Sequence, residues 1–177
     1  VPVRDKQPLL PPDIEWHFIG SLQTNKVKYL LPFVHLVHSI DRPSLLDELN
    51  KRSASAACTP GVLLQVHIAR EESKQGFAPD ELRALVAGGP LEARWPLLRF
   101  RGLMGMATNT RDMQQVRKEF DGLAALLKEL QGNARLDASQ FKELSMGMSG
   151  DLETAVAAGS TMVRIGTAIF GRRDQSA

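Results

Sequence analysis

The chain reads as an α/β protein built on a parallel sheet, and three observations predict that class. Strand-like and helix-like segments alternate from one end to the other, six of the first and five of the second. The apolar run at 61–68 (Gly-Val-Leu-Leu-Gln-Val-His-Ile) suits a strand covered on both faces, as parallel strands are. The last forty residues carry the third. A Ser/Gly turn at 145–151 (Ser-Met-Gly-Met-Ser-Gly-Asp) and a Gly-Thr pair inside 161–171 (Thr-Met-Val-Arg-Ile-Gly-Thr-Ala-Ile-Phe-Gly) stand at the ends of two successive strands. Free backbone N–H groups and hydroxyls at neighbouring strand ends form a natural cup for a phosphate. In eight-stranded α/β barrels such a cup follows the last two strands.

The elements follow in order. A strand is expected at 14–19, then a short helix at 24–31 stopped by Pro32. The next strand is 34–40, and Pro43 at a first helical turn opens a helix over 44–57. After the strand at 61–68, a polar loop at 69–77 leads to a helix from Pro79 to about Val86. A fourth strand covers 97–104. The long amphipathic helix at 111–130 sets Val116, Phe120, Leu123 and Leu127 on one side. Strands at 141–146 and 162–166 flank a helix at 152–158.

Six strands joined by five helical crossovers imply a parallel sheet with right-handed connections. A doubly wound open sheet could hold six strands. A (β/α)8 TIM-type barrel needs eight, at roughly thirty residues per unit. The position of the cup favours the barrel, with about the first two β/α units absent ahead of Val1. The expectation is therefore a single, N-terminally incomplete barrel domain over 1–177, with 1–13 as a polar, Pro-rich leader. Missing strands would expose sheet edges and apolar interior, which predicts poor stability for these 177 residues by themselves.

Composition narrows the function classes. At 43% hydrophobic and 24% charged residues the chain is an ordinary globular domain. Its net charge is +2, with Lys and Arg scattered apart from the doublets Lys51-Arg52 and Arg172-Arg173, so there is no footprint for nucleic acid. A single cysteine, Cys58, allows no internal disulfide and fits a reducing compartment. With no apolar run of spanning length and no signal peptide, the expectation is a cytoplasmic monomer without membrane or nucleic-acid partners.

Chemistry concentrates in the terminal cup. Ser149 could bind an anion through its hydroxyl and the N–H groups after it, or simply cap the following helix. Gly166 and Thr167 could complete the cup or make a turn. Arg164 lies between Val163 and Ile165 in a strand, so it is expected to be buried and to need a partner: an interior ion pair, or a ligand atom beyond the phosphate. Strand alternation sets Met162, Arg164 and Gly166 on one face. His35 and His38, three apart on a strand, face opposite sides, and His17 and His67 read as packed histidines. No metal-ligand spacing occurs, and neither GxGxxG nor GxxxxGK[ST] is present. Met104, Met106, Met146 and Met148 read as gap-fillers, and Lys74, which follows a strand and so lies on the face where active sites gather, reads more simply as a surface lysine beside two glutamates.

Five segments together resemble the pyridoxal phosphate homeostasis protein family (YggS type). They are 16–26 (Trp-His-Phe-Ile-Gly-Ser-Leu-Gln-Thr-Asn-Lys), 71–77 (Glu-Glu-Ser-Lys-Gln-Gly-Phe), 102–106 (Gly-Leu-Met-Gly-Met), 144–151 and 163–171. The match runs in order from about Glu15 to Arg172. The resemblance implies one barrel similar to the cofactor-binding domain of alanine racemase, with pyridoxal 5'-phosphate at its C-terminal face. It implies that Ser149, Gly166 and Thr167 hold the phosphate and that Arg164 faces the pyridine nitrogen. An arginine there stays protonated and discourages protonation of the ring, which weakens the cofactor as an electron sink. The family's covalent lysine, on its first strand, has no counterpart in this chain, and neither has the Gly-Glu-Asn segment after its second. Lys6, in the leader, is not assigned that role. The implied function is a carrier or buffer of the cofactor, with no catalytic residue assigned. A single-domain racemase or related amino-acid enzyme, and a barrel for another phosphorylated metabolite, are the alternatives.

Overall fold

A computed structural model describes residues 6–171. Each strand pairs in parallel with the next, in the order β1-β2-β3-β4-β5-β6. The strands are β1 (Trp16–Phe18), β2 (Val34–Ile40), β3 (Gly61–Val66), β4 (Arg99–Gly105), β5 (Glu143–Met148) and β6 (Met162–Arg164). The helices between them are α1 (Val27–Leu30), α2 (Pro43–Ala56), α3 (Pro79–Ala87), α4 (Leu91–Arg94), α5 (Met113–Gln131) and α6 (Leu152–Ala157), and α7 (Thr167–Phe170) follows β6.

Local chemistry sets the boundaries. The long helix starts at Met113 rather than 111 because Asp112 caps it, its carboxylate accepting from Gln114 N–H and Gln115 N–H. Pro43 and Pro79 open their helices at the first turn, where no N–H is needed. Two one-turn helices, α4 and α7, lie where the sequence pattern shows none, since four residues are too few for a period. β5 is displaced two residues toward the C-terminus from its expected span, because Phe141 is spent in a turn, its N–H donating to Asp137 O. β1 and β6 shrink to three residues each, and as edge strands they are held by one neighbour. In the leader, a single 3-10 turn at Gln7–Leu9 leaves Leu9 largely exposed. Residues 1–5 and the Arg172-Arg173 doublet lie outside the described residues.

The two faces of the sheet are packed differently. One carries the helices and a continuous apolar core that includes Val37, Ile40, Leu64, Val66, Leu103, Leu144 and Met146 of the strands with Leu45, Leu82, Phe120 and Leu123 of the helices. Burial of each such side chain contributes about 1.5–3 kcal/mol. The opposite face holds a small cluster, Leu36, Leu63 and Met104, with Met106 and Met162 against it. This face is concave: the His38 ring of β2 meets the Ser145 hydroxyl of β5, although β3 and β4 stand between them in the sheet. Only a curled sheet brings those strands together. Among the described residues, no helix is long and apolar enough to cross a membrane.

Candidate functional site

The strands end in a cavity of about 810 Å³ on the concave side. Its wall takes His17 from β1, His38 from β2, Met106 after β4, Met148 and Ser149 at the end of β5, and Met162 to Thr167 from β6 onward. That β1 and β6, the two edges of the sheet, line one cavity follows from the curl. All four residues predicted for the site, Ser149, Arg164, Gly166 and Thr167, lie on this wall.

Ser149 does not cap the helix that follows it. Its Oγ accepts from the Ala168 N–H at 3.2 Å, which ties the end of β5 to the first turn of α7. The turn itself is held by Asp151, whose carboxylate accepts from the Met148 N–H at 2.6 Å. Gly147 makes this corner possible. Its φ is +95°, and a Cβ there would stand 2.4 Å from Ala155 Cβ, so only glycine lets α6 approach β5 so closely. Gly150 and Gly166 are different: an added Cβ would meet nothing within 4 Å. They border open space, so a side chain at either would occupy cavity volume. Thr167 opens α7, with Gly166 as its N-cap, and the first-turn N–H groups of a helix have no intrahelical acceptor.

Arg164 is half-buried and lies on the same strand face as Met162. Its Nη1–H donates to Ser145 Oγ at 2.8 Å and its Nη2–H to Gly105 O at 3.0 Å. Both acceptors are neutral, so the interior ion pair is not formed. Burial lowers its pKa from the ordinary arginine value, opposed by the field of Asp151, and a guanidinium nevertheless stays charged. The cavity therefore has a cation in its wall that no carboxylate within ion-pair reach neutralises, among the described residues.

The histidines divide as strand geometry dictates. His35 faces out, 3.7 Å from Glu15. His38 is buried, its Nδ1 2.8 Å from Ser145 Oγ and its Nε2 3.1 Å from His17 Nδ1. Burial, then the neighbouring His17 and Arg164 charges, push its pKa from 6.5 to about 3, so it is neutral at ordinary pH. His17 is also lowered, first by burial and then by His35, with Glu15 acting the other way. His67 bonds Glu71 O in the loop after β3.

Lys74, expected at the surface, is instead mostly covered. Its ammonium donates to Ala107 O beyond β4 and lies 3.4 Å from Glu71. Glu71 in turn accepts from the Asn109 N–H at 2.9 Å, and that bond foremost lowers its pKa to about 2. These contacts latch the loop after β3 to the loop after β4. Met104 and Met146 fill the core, whereas Met106 and Met148 line the cavity. No cluster of three or more His, Cys, Asp or Glu suited to a metal occurs among the described residues. Ser145 and the pairing of His38 with His17 are the site residues that motif reading passes over. Strand parity could have found Ser145, the polar residue between the core residues Leu144 and Met146.

The donor set suits a phosphorylated ligand: a hydroxyl, glycines with free space, a helix-opening turn and a half-buried cation on one wall. Residues 13–174 match the family model described as alanine racemase, N-terminal domain. The chain belongs to that family. Within it, the relatives are consistent in name. The pyridoxal phosphate homeostasis protein of Aquifex aeolicus is 42% identical over 161 residues, which is 91% of this chain and 68% of that protein. The protein of the same name from Escherichia coli (strain K12) is 40% identical over 174 residues, 98% of this chain and 71% of its own length. Among solved structures, PipY of Synechococcus elongatus without PLP superposes with a TM-score of 0.85 at 33% identity, over 94% of this chain and 76% of PipY. PipY with PLP bound gives 0.81 at 30% identity, over 95% and 75%. An alanine racemase of Clostridium difficile shares the fold, at a TM-score of 0.62 and 12% identity, over 91% of this chain and 41% of the racemase.

Proposed function

We propose that this chain binds pyridoxal 5'-phosphate and serves vitamin B6 homeostasis as a carrier or buffer of that cofactor rather than as a catalyst. One observation carries the reading. A single wall of one cavity brings Ser149, Gly166 and Thr167 together with Arg164, a cation that, among the described residues, bonds only neutral groups. The relatives' shared name and the PLP-bound PipY support the same ligand.

In this reading Ser149 Oγ and the N–H groups around Gly166 and Thr167 hold the phosphate. Open space beside Gly150 and Gly166 admits it. Arg164 faces the ring nitrogen and, being a fixed cation, keeps a proton off it. The cofactor supplies a reactive aldehyde and an electron-withdrawing ring. The residues of this chain bind and orient it while holding the ring in its weaker electron-accepting state. That combination suits storage and delivery better than turnover. The six strands belong, in the same reading, to one barrel domain acting as a monomer, in which two further β/α units join the β1 and β6 edges. The curl of the sheet and the 68% coverage of the Aquifex relative support that architecture.

The test is retention of the cofactor. The chain is mixed with pyridoxal 5'-phosphate and desalted, and its visible spectrum is recorded before and after borohydride. The expected result is retained cofactor whose band borohydride does not lock to the chain, with retention lost in Arg164→Met and weakened in Ser149→Ala. A folded chain that retains nothing, or retention indifferent to both substitutions, overturns the proposal.

A further inference from the structure

Four strands converge on Arg164, and their hydrogen bonds form a line with only one consistent direction. Arg164 Nη1–H donates to Ser145 Oγ at 2.8 Å. Ser145 Oγ lies 2.8 Å from His38 Nδ1, and His38 Nε2 lies 3.1 Å from His17 Nδ1. Arginine is a donor only, so Ser145 must accept from it. If the single Ser145 proton goes to His38 Nδ1, then His38 carries its own proton on Nε2 and gives it to His17 Nδ1. Every proton then has an acceptor. In the reverse direction His38 Nδ1–H also donates to Ser145, and the hydroxyl proton of a fully buried serine is left without a partner. An unpaired buried donor loses its hydration with nothing in return, so the first direction is favoured. A serine accepting from a cation is also a stronger donor, which tightens the next bond in the line.

The geometry at the arginine completes the picture. The Gly105 carbonyl on β4 takes Nη2–H at 3.0 Å, while Ser145 on β5 takes Nη1–H. Two acceptors on two strands fix the plane of a rigid fork. His38 from β2 and His17 from β1 brace the serine from behind. Five N–H groups are available on a guanidinium, and two are used in this way.

We propose that Ser145 and His38, braced by His17, are positioning residues that hold the Arg164 guanidinium in one plane and so fix which of its N–H groups meets the ligand. The inference rests on the proposed cofactor role of Arg164, but the arrangement exists in the ligand-free chain and is measurable there. Neutral His38 is required, since a second ring proton would compete with Arg164 for the Ser145 oxygen. The depressed pKa of His38 is consistent with that requirement.

Three variants of the full chain test it. Ser145→Cys keeps the shape but weakens the hydrogen bonds. His38→Asn retains an acceptor near the Nδ1 position while giving up the reach to His17, and His38→Leu removes both. Nitrogen-15 NMR of the ligand-free chain is expected to show His38 protonated on Nε2 and separate, slowly rotating Arg164 Nη signals. Those signals should merge in Ser145→Cys and His38→Leu and remain resolved in His38→Asn. With pyridoxal 5'-phosphate added, affinity should fall about tenfold in Ser145→Cys and His38→Leu, with the ring-nitrogen signal displaced, and recover toward the parent in His38→Asn. His38 protonated on Nδ1, or Arg164 signals unchanged in a folded Ser145→Cys, would overturn the proposal. If Ser145→Cys does not fold, the two His38 variants decide, and identical behaviour of the asparagine and the leucine overturns it. A parent chain that binds no cofactor defeats the proposed function instead, and the ligand-free NMR still decides the positioning claim.

Discussion

The two faces of the sheet use the same strands for opposite purposes. On the helix side, successive side chains such as Leu64, Leu103, Leu144 and Met146 lock against Leu82, Phe120 and Leu123 in one apolar layer. On the concave side the buried apolar cluster is Leu36, Leu63 and Met104, and the remaining positions include His38, Gln65, Ser145 and Arg164. A polar group in such a place is tolerated only when bonded, and each of these is: Gln65 Nε2–H donates to Gln75 O at 2.7 Å, and the other three bond in line. Stability is concentrated on one face and chemistry on the other. Mutations on the two faces should therefore fail in different assays.

The largest expected effect comes from the helix face. Phe120→Ala removes a fully buried ring and should cost about 3–5 kcal/mol in urea unfolding. If the chain lost cofactor affinity but no stability, the division would be wrong. Acid should produce the next effect, from the concave face. His38 titrates at about 3 in the folded chain against the ordinary 6.5, so the unfolded chain takes up the proton first. Stability should be level above about pH 6.5 and fall as pH drops from there toward 3, by a few kcal/mol, on the order of what such a shift implies. His17, lowered in the same direction, adds to it. Denaturation midpoints of His38→Leu should show a shallower decline over that window. Equal slopes would mean that His38 is not the group responsible.

Smaller still is the cup. Ser149→Ala removes one exposed hydrogen bond, to Ala168 N–H, and should change stability by about 1 kcal/mol or less while lowering cofactor affinity about tenfold. Gly166→Ala should hardly affect unfolding, within about 0.5 kcal/mol, because the added Cβ meets open space. Its effect should be confined to the ligand, seen by titration of pyridoxal 5'-phosphate. Unchanged affinity would place the phosphate elsewhere.

Long segments are legible in the sequence. β2 spans the residues expected from its run of Val, Leu and Ile, and α5 differs from its expected span by a cap. Ser149, Arg164, Gly166 and Thr167 could be picked out because strand-end Ser/Gly and Gly-Thr pairs are local chemistry, and they do share one cavity wall. α4 and α7 were not legible, for a single turn leaves no period to read. Lys74 looked like a surface residue because its acceptor, Ala107, is 33 positions away.

The alternation of apolar segments by itself determined the α/β class, the order of the elements and the strand ends that carry the cup. Those properties follow from periodicity and backbone chemistry over a few neighbouring residues. Tertiary structure alone decided the partner of Arg164. Sequence offered an ion pair or a ligand; strand pairing supplied instead a serine 19 residues back on β5, and the curl of the sheet set behind it a histidine 107 residues from that serine. The first contact follows from the pairing of β6 with β5, and the second crosses the concave face between β2 and β5, which are not neighbours in the sheet, so no local pattern in the chain encodes them.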